Sequence, residues 1–114
     1  MAKSVLITGV TRGIGRACAW KFAREGWCVT GSYAKSEEAA QLLEQEIAAM
    51  GGQCRCVPAD VTDSAAVRRL ALLAQAEAMA AQGDSQSLYP VLAELRGQFR
   101  LIAETQRISA NNIF

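Results

Sequence analysis

The chain has 114 residues, 51% of them apolar and 20% charged, a balance found in folded globular domains and not in disordered or fibrous chains. Its 12 basic and 11 acidic residues leave a formal charge of +1 with no block of one sign, so neither nucleic acid nor an anionic membrane surface is expected as a partner. No apolar run approaches the roughly 20 residues that span a bilayer, and Met1-Ala2-Lys3-Ser4 leads straight into a strand, so the expected location is the cytoplasm.

Residues 4–8 (Ser-Val-Leu-Ile-Thr) form a short apolar run halted by Gly9, which predicts a strand buried on both faces in a parallel sheet. After a glycine-rich turn, Ile14, Ala17, Cys18, Trp20, Phe22 and Ala23 recur at helical spacing over residues 13–25, and Gly26 ends that helix. Residues 27–33 read as a second strand. Ser36 then caps a helix with Glu37 and Glu38 in its first turn, carrying Leu42, Leu43, Ile47 and Met50 to a stop at Gly51-Gly52. Residues 53–58 form a third strand, Asp60-Val61-Thr62-Asp63 a turn, and Ser64 a cap for a helix starting at Ala65. Two strand-helix-strand units in tandem imply an α/β fold: a three-stranded parallel half-Rossmann sheet ordered 3-2-1, with flanking helices and right-handed crossovers.

Beyond Val67 the character changes. Residues 68–82 are an alanine- and leucine-rich helix, Gly83-Asp84-Ser85 a turn, and Ser87 caps a second helix with Pro90 in its first turn. In that helix Leu88, Leu92, Leu95, Phe99 and Ile102 step by four and three, flanked by Glu94, Arg96, Arg100 and Glu104. The expected organisation is a nucleotide-binding half over residues 1–67 and a C-terminal helical hairpin over residues 68–114 that packs on the sheet or mediates association. Strand order 3-2-1 leaves the first strand at an edge, so a homo-oligomer through that edge or through the 88–102 helix face is the expected partnership. Residues 108–114 carry no assignment. The four cysteines, Cys18, Cys28, Cys54 and Cys56, come without a single histidine; they read as small buried residues in a reducing compartment, and no metal is expected.

The turn Thr8-Gly9-Val10-Thr11-Arg12-Gly13-Ile14-Gly15 stands where a strand hands over to a helix. There Gly9 allows the tight turn, Gly13 lets a pyrophosphate approach the backbone, and Gly15 lets the helix pack on the first strand. Amides of the helix N-terminus then face the anion. In this the chain resembles the start of a short-chain dehydrogenase/reductase, whose Thr-Gly-x-x-x-Gly-Ile-Gly turn it carries. Ser32-Tyr33-Ala34-Lys35-Ser36-Glu37-Glu38-Ala39 is similar to the segment after the second strand in the bacterial 3-oxoacyl-(acyl-carrier-protein) reductases of that family, and Asp60-Val61 matches its adenine-contacting pair. The resemblance implies NADP(H) as cofactor, with Arg12 and Ser32 on the 2′-phosphate, Thr11 in the phosphate turn, the Ile14 amide on the pyrophosphate, and Asp60 and Val61 at the adenine. Independently, an NAD-selective site needs a carboxylate near the end of the second strand, and residues 31–36 contain none.

The resemblance stops near residue 67, before the family's Asn-Asn-Ala-Gly segment and the Ser and Tyr-x-x-x-Lys residues that, as it implies, perform the chemistry. Tyr33 lies in the adenosine half, Tyr89 precedes Pro90-Val91-Leu92-Ala93, and Ser109-Ala110-Asn111-Asn112 is a chance likeness, so no catalytic residue is assigned. The expectation is a truncated, chimeric or designed reductase-like chain that binds the ADP part of NADP(H) without a complete oxidoreductase site. The alternative is a structural or oligomerisation module using the sheet only as scaffold.

Overall fold

The computed structural model describes residues 3–82 and 89–111. The predicted turn at Gly83, Asp84 and Ser85, the Ser87 cap, Leu88 and the last three residues lie outside that range. Three parallel strands, β1 (Ser4–Thr8), β2 (Cys28–Tyr33) and β3 (Gln53–Pro58), are joined through helices α1 (Gly13–Arg24) and α2 (Glu37–Ala49). Helices α3 (Ser64–Gln82) and α4 (Tyr89–Asn111) follow. The sheet runs β1-β2-β3, the predicted order, with Thr8 opposite Ser32 and Ser32 opposite Val57.

Strand alternation sorts the core into two halves. Val29 and Tyr33 of β2 and Cys56 of β3 face α1 and α2, where they pack with Ala19, Ala23, Leu43 and Ile47. Val57 faces the other way, into a second cluster with Leu70 and Leu73 of α3 and Leu92 and Phe99 of α4. Thus α3 lies over β1 and β2 and α4 over β3 and α3, and α3 continues unbroken past Val67. Of the predicted stripe on α4, Leu92 and Phe99 are buried inside this same chain and Leu95 packs against them. Burying a side chain of that size stabilises by roughly 1.5–3 kcal/mol, so the two anchor α4 far more firmly than any surface ion pair.

Four local expectations are corrected. β1 is not buried on both faces: Ser4, Leu6 and Thr8 are exposed, because the strand is the sheet edge and no strand among the described residues pairs with its outer side. Ile14, read as part of the apolar stripe of α1, is 85% exposed, since the buried side of that helix runs through Ala19 and Ala23. Ser64 does not cap α3; it is the first helical residue, and the Asp63 carboxylate accepts the Ala65 N–H at 3.0 Å. Ser36 occupies the position before α2, but its hydroxyl makes no capping bond.

The ends of α1 and α2 follow the glycines, as the sequence implies. Gly26 and Gly51 adopt φ +87° and +86°, where a side chain would strain the backbone. The second strand begins one residue later than predicted, because the Trp27 N–H still donates to the Phe22 carbonyl and the two rings meet edge to face at 4.8 Å. Arg16 and Glu46, 2.6 Å apart, tie α1 to α2.

Candidate functional site: the crevice at the carboxyl ends of the strands

The turn between β1 and α1 is shaped by three constraints. Gly9 and Gly13 hold φ +65° and +61°, a region L-residues with a side chain avoid. A Cβ on Gly15 would overlap the carbonyl oxygen of Gly9 and lie 3.3 Å from that of Thr8, so α1 starts in direct contact with the end of β1. Val10, wholly buried, plugs the turn into the sheet: its N–H donates to the Ser32 carbonyl at 3.0 Å and its side chain fills the space over Gly31.

With Val10 anchoring it, the turn stands open. Gly9, Arg12, Gly13 and Ile14 are exposed and Thr11 is half-buried. No side chain caps the start of α1 and its first turn holds no acidic residue, so the first amides and the positive end of the helix dipole are available to an anion.

Beside the turn, a cavity of about 500 Å³ opens at the carboxyl ends of all three strands. Thr8 and Gly9 line it from β1, Ser32, Tyr33 and Lys35 from β2, and Asp60 and Val61 from the segment after β3. Asp63, just before α3, and Ala66 and Arg69 on it contribute one wall, and Phe99, Ile102 and Ala103 of α4 close the side above them. The cavity thus gathers Gly9, Ser32, Asp60 and Val61 of the predicted residues, while Thr11, Arg12, Gly13, Ile14 and Gly15 stay on the turn outside its lining.

Ser32 is 1% exposed, and its hydroxyl is buried with no hydrogen-bond partner among the described residues, as is that of Thr30 two residues earlier on the same strand face. Asp60 is differently held: its Oδ1 accepts the Thr62 hydroxyl at 2.6 Å and the Thr62 N–H at 2.9 Å, which keeps the carboxyl below the usual carboxylate range. A depressed value means that these bonds act while the acid is ionised and are lost as pH falls through its midpoint. Thr62→Val is therefore expected to move the Asp60 midpoint upward in an NMR carboxyl titration, and an unmoved midpoint would refute that origin.

Sequence reasoning missed Lys35 and Arg69. The spacing Asp63, Ala66, Arg69 repeats every three residues and puts all three on one side of a helix; read with the placement of Asp60, that interval was the available signal. Phe99 and Ile102 were recognised as an apolar stripe, but nothing in the sequence says which wall they build.

Burial raises the Tyr33 hydroxyl, with Glu37 acting in the same direction, so this side chain stays protonated well above neutral pH. Cys28 is raised by burial and by Glu77, and Cys56 chiefly by its hydrogen bond with Cys54 at 3.7 Å and then by burial, which leaves both as thiols. Neither is an activated nucleophile. No helix of the described residues is long and apolar enough to cross a membrane.

A family model described as short chain dehydrogenase matches residues 3–83. Over 70 residues the chain is 41% identical to a 3-oxoacyl-[acyl-carrier-protein] reductase of Staphylococcus aureus, a match covering 61% of this chain and 28% of that reductase. Its fold matches a blue fluorescent protein from a metagenomic library, solved in complex with NADPH, with a TM-score of 0.61, at 35% identity over 63% of this chain and 30% of that one. A short chain dehydrogenase from Burkholderia cenocepacia, solved with NADP, is similar at TM-score 0.56 and 39% identity, over 62% of this chain and 30% of the other.

Proposed function

Since the chain belongs to the short chain dehydrogenase family, we propose that it binds the ADP part of NADP(H) in the crevice between the β1–α1 turn and the segment after β3. The observation that carries this reading is the continuity of an open amide turn with a cavity at the strand ends, the place where open α/β sheets take their ligands. The pyrophosphate lies on the turn at Gly9, Thr11, Gly13 and Ile14, with Gly15 keeping helix and strand together. Asp60 accepts from the adenine amino group, and Val61 packs on the ring. Arg12 and Ser32 address the ribose 2′-phosphate, and no carboxylate among residues 31–36 repels it.

Bound NADP(H) supplies a hydride at its nicotinamide. This chain adds no tyrosine-lysine pair to use it, since its three lysines are Lys3, Lys21 and Lys35 and none follows a tyrosine by four residues. The reading is thus a binding function. The chain aligns with only 28% of the Staphylococcus aureus reductase, and ketone reduction is proposed of it only in company with groups that a longer protein or a second chain would bring.

Calorimetric titration tests the binding: NADPH is expected to bind at least about tenfold more tightly than NADH, the worth of one or two charge-assisted hydrogen bonds. Equal affinity would remove the phosphate preference, and no binding of either would end the proposal. The outer edge of β1 supports a second reading, in which a copy of the chain pairs there. Sedimentation that shows a monomer at all concentrations would dispose of it.

A further inference from the structure

The sheet has two outer edges, and the chain treats them differently. On β3 the Cys56 N–H is taken by the Glu44 carboxylate at 2.8 Å, Arg55 puts a charge in the strand, and Pro58 ends it. These are devices that keep edge strands from pairing. β1, Ser4-Val5-Leu6-Ile7-Thr8, carries no charge and no proline, and no strand among the described residues lies along its outer side. The Cys28 N–H donates to the Lys3 carbonyl at 2.8 Å with Ser4 opposite Cys28, so the alternation of the ladder turns the backbone groups of Lys3, Val5 and Ile7 toward β2. Those of Ser4, Leu6 and Thr8, all exposed residues, point outward.

The order of side chains in β1 says what fits there. Read backwards the strand is Thr-Ile-Leu-Val-Ser, the same succession of hydroxyl, β-branched, leucine, β-branched and hydroxyl residues. An antiparallel second copy centred on Leu6 sets Ser4 against the partner's Thr8 and Leu6 against the partner's Leu6, which joins all the outward backbone groups. Between them Val5 meets the partner's Ile7, a favourable cross-strand pair. Lys3 falls opposite the partner's Gly9, so no like charges face each other. The helix above the edge agrees: α3 lies over β1 and β2 and turns Ala76 and Ala80 toward Leu92 and Phe99 of α4, on the β3 side. Its opposite flank, over the β1 edge, is Val67, Ala71, Ala74 and Ala78, stepping by four and three without a charge. Two such helices, each lying between β1 and β2 of its own sheet, stand two strand spacings apart, about 10 Å, the separation of packed helices.

We infer that two copies of this chain join β1 to β1 antiparallel about a two-fold axis at Leu6, making one continuous sheet, with the α3 flanks of Val67, Ala71 and Ala74 packed across the axis. The inference rests on the second reading above and adds to it the register, the helix contact and the closure. A contact of one edge with itself uses that edge up, and the β3 edge is blocked, so assembly stops at the dimer.

The test joins sedimentation of the whole chain to isotope-filtered NMR on a mixture of labelled and unlabelled copies. A concentration-dependent dimer is expected, with an interchain contact between the Val5 Hα and the partner's Ile7 Hα, since an antiparallel pair of this kind brings the Cα atoms to about 4.5 Å. Ala71→Glu, at an exposed position on the inward flank, should weaken the dimer at least about tenfold by setting like charges across the axis. Leu72→Glu, 57% exposed on the outer side of the same helix, should leave it unchanged. A dimer whose Leu6 amide gains protection from exchange but which lacks the Val5 to Ile7 contact overturns the inference and leaves the second reading standing. A dimer that withstands Ala71→Glu, or that Leu72→Glu breaks, overturns the inference as well. A chain that stays monomeric at every concentration removes both.

Discussion

Gly15→Ala is expected to lower the stability of the chain by about 3 kcal/mol or more and to abolish measurable NADPH binding. The added Cβ would overlap the Gly9 carbonyl oxygen and crowd that of Thr8, both backbone atoms at the end of a strand. No rotamer change relieves such a contact, so α1 must lift off β1, pulling Ala19 and Ala23 out of the core and opening the turn that grips the pyrophosphate. Gly9→Ala and Gly13→Ala are a useful contrast. Both positions have positive φ but nothing within 4 Å of an added Cβ, so only the strain of roughly 1–2 kcal/mol applies. Urea denaturation of the three variants should therefore rank Gly15 clearly worst; a Gly15→Ala chain as stable as the other two would show that α1 does not press on β1.

The second large effect is expected at Glu77. Its carboxylate, 10% exposed, accepts from Arg96 Nε at 2.7 Å and lies 2.6 Å from Arg96 Nη2, while Arg55 Nε of β3 stands 4.0 Å away. This cluster joins α3, α4 and the sheet at the end opposite the crevice. Removing one member of a buried pair costs about 3–5 kcal/mol; Arg96 is 22% exposed, which argues for the lower end. Glu77→Ala should thus lose about 3 kcal/mol. Glu77→Leu combined with Arg96→Leu should recover much of that, because no buried charge is then left without its partner. Because α4 supplies Phe99 and Ile102 to the cavity wall, the single variant is also expected to bind NADPH more weakly. A loss below about 0.5 kcal/mol, the range of ordinary surface changes, would show that the pair is solvated and that Leu92 and Phe99 alone hold α4.

The legibility of the chain in its sequence varies with the range of the forces involved. β1 falls where an apolar run meets Gly9, β3 ends at Pro58, and α1 and α2 stop at Gly26 and Gly51, because positive φ is a property of one residue and its neighbours. The turn at residues 8–15 was readable for the same reason. Capping was less so: Asp63, Ser64 and Ser36 are all competent oxygen acceptors, and which one bonds depends on how the preceding segment leaves the sheet. The exposure of Leu6 and Ile14 was not readable, since an apolar residue is buried only if another element arrives to cover it.

Residue spacing alone determined the strand-turn-helix order, the parallel sheet and the glycine turn, because backbone conformation and hydrophobic period are local and leave their mark in consecutive residues. The folded chain decided that α4 lies on the sheet beside α3, that Asp60, Ser32 and Arg69 meet around one cavity, and that Arg12 stays outside it. Those residues are separated by 28 and 9 positions in the chain, and what brings them together is the burial of Leu70, Leu73, Leu92 and Phe99 against Val57, a long-range packing choice that no short stretch of sequence encodes.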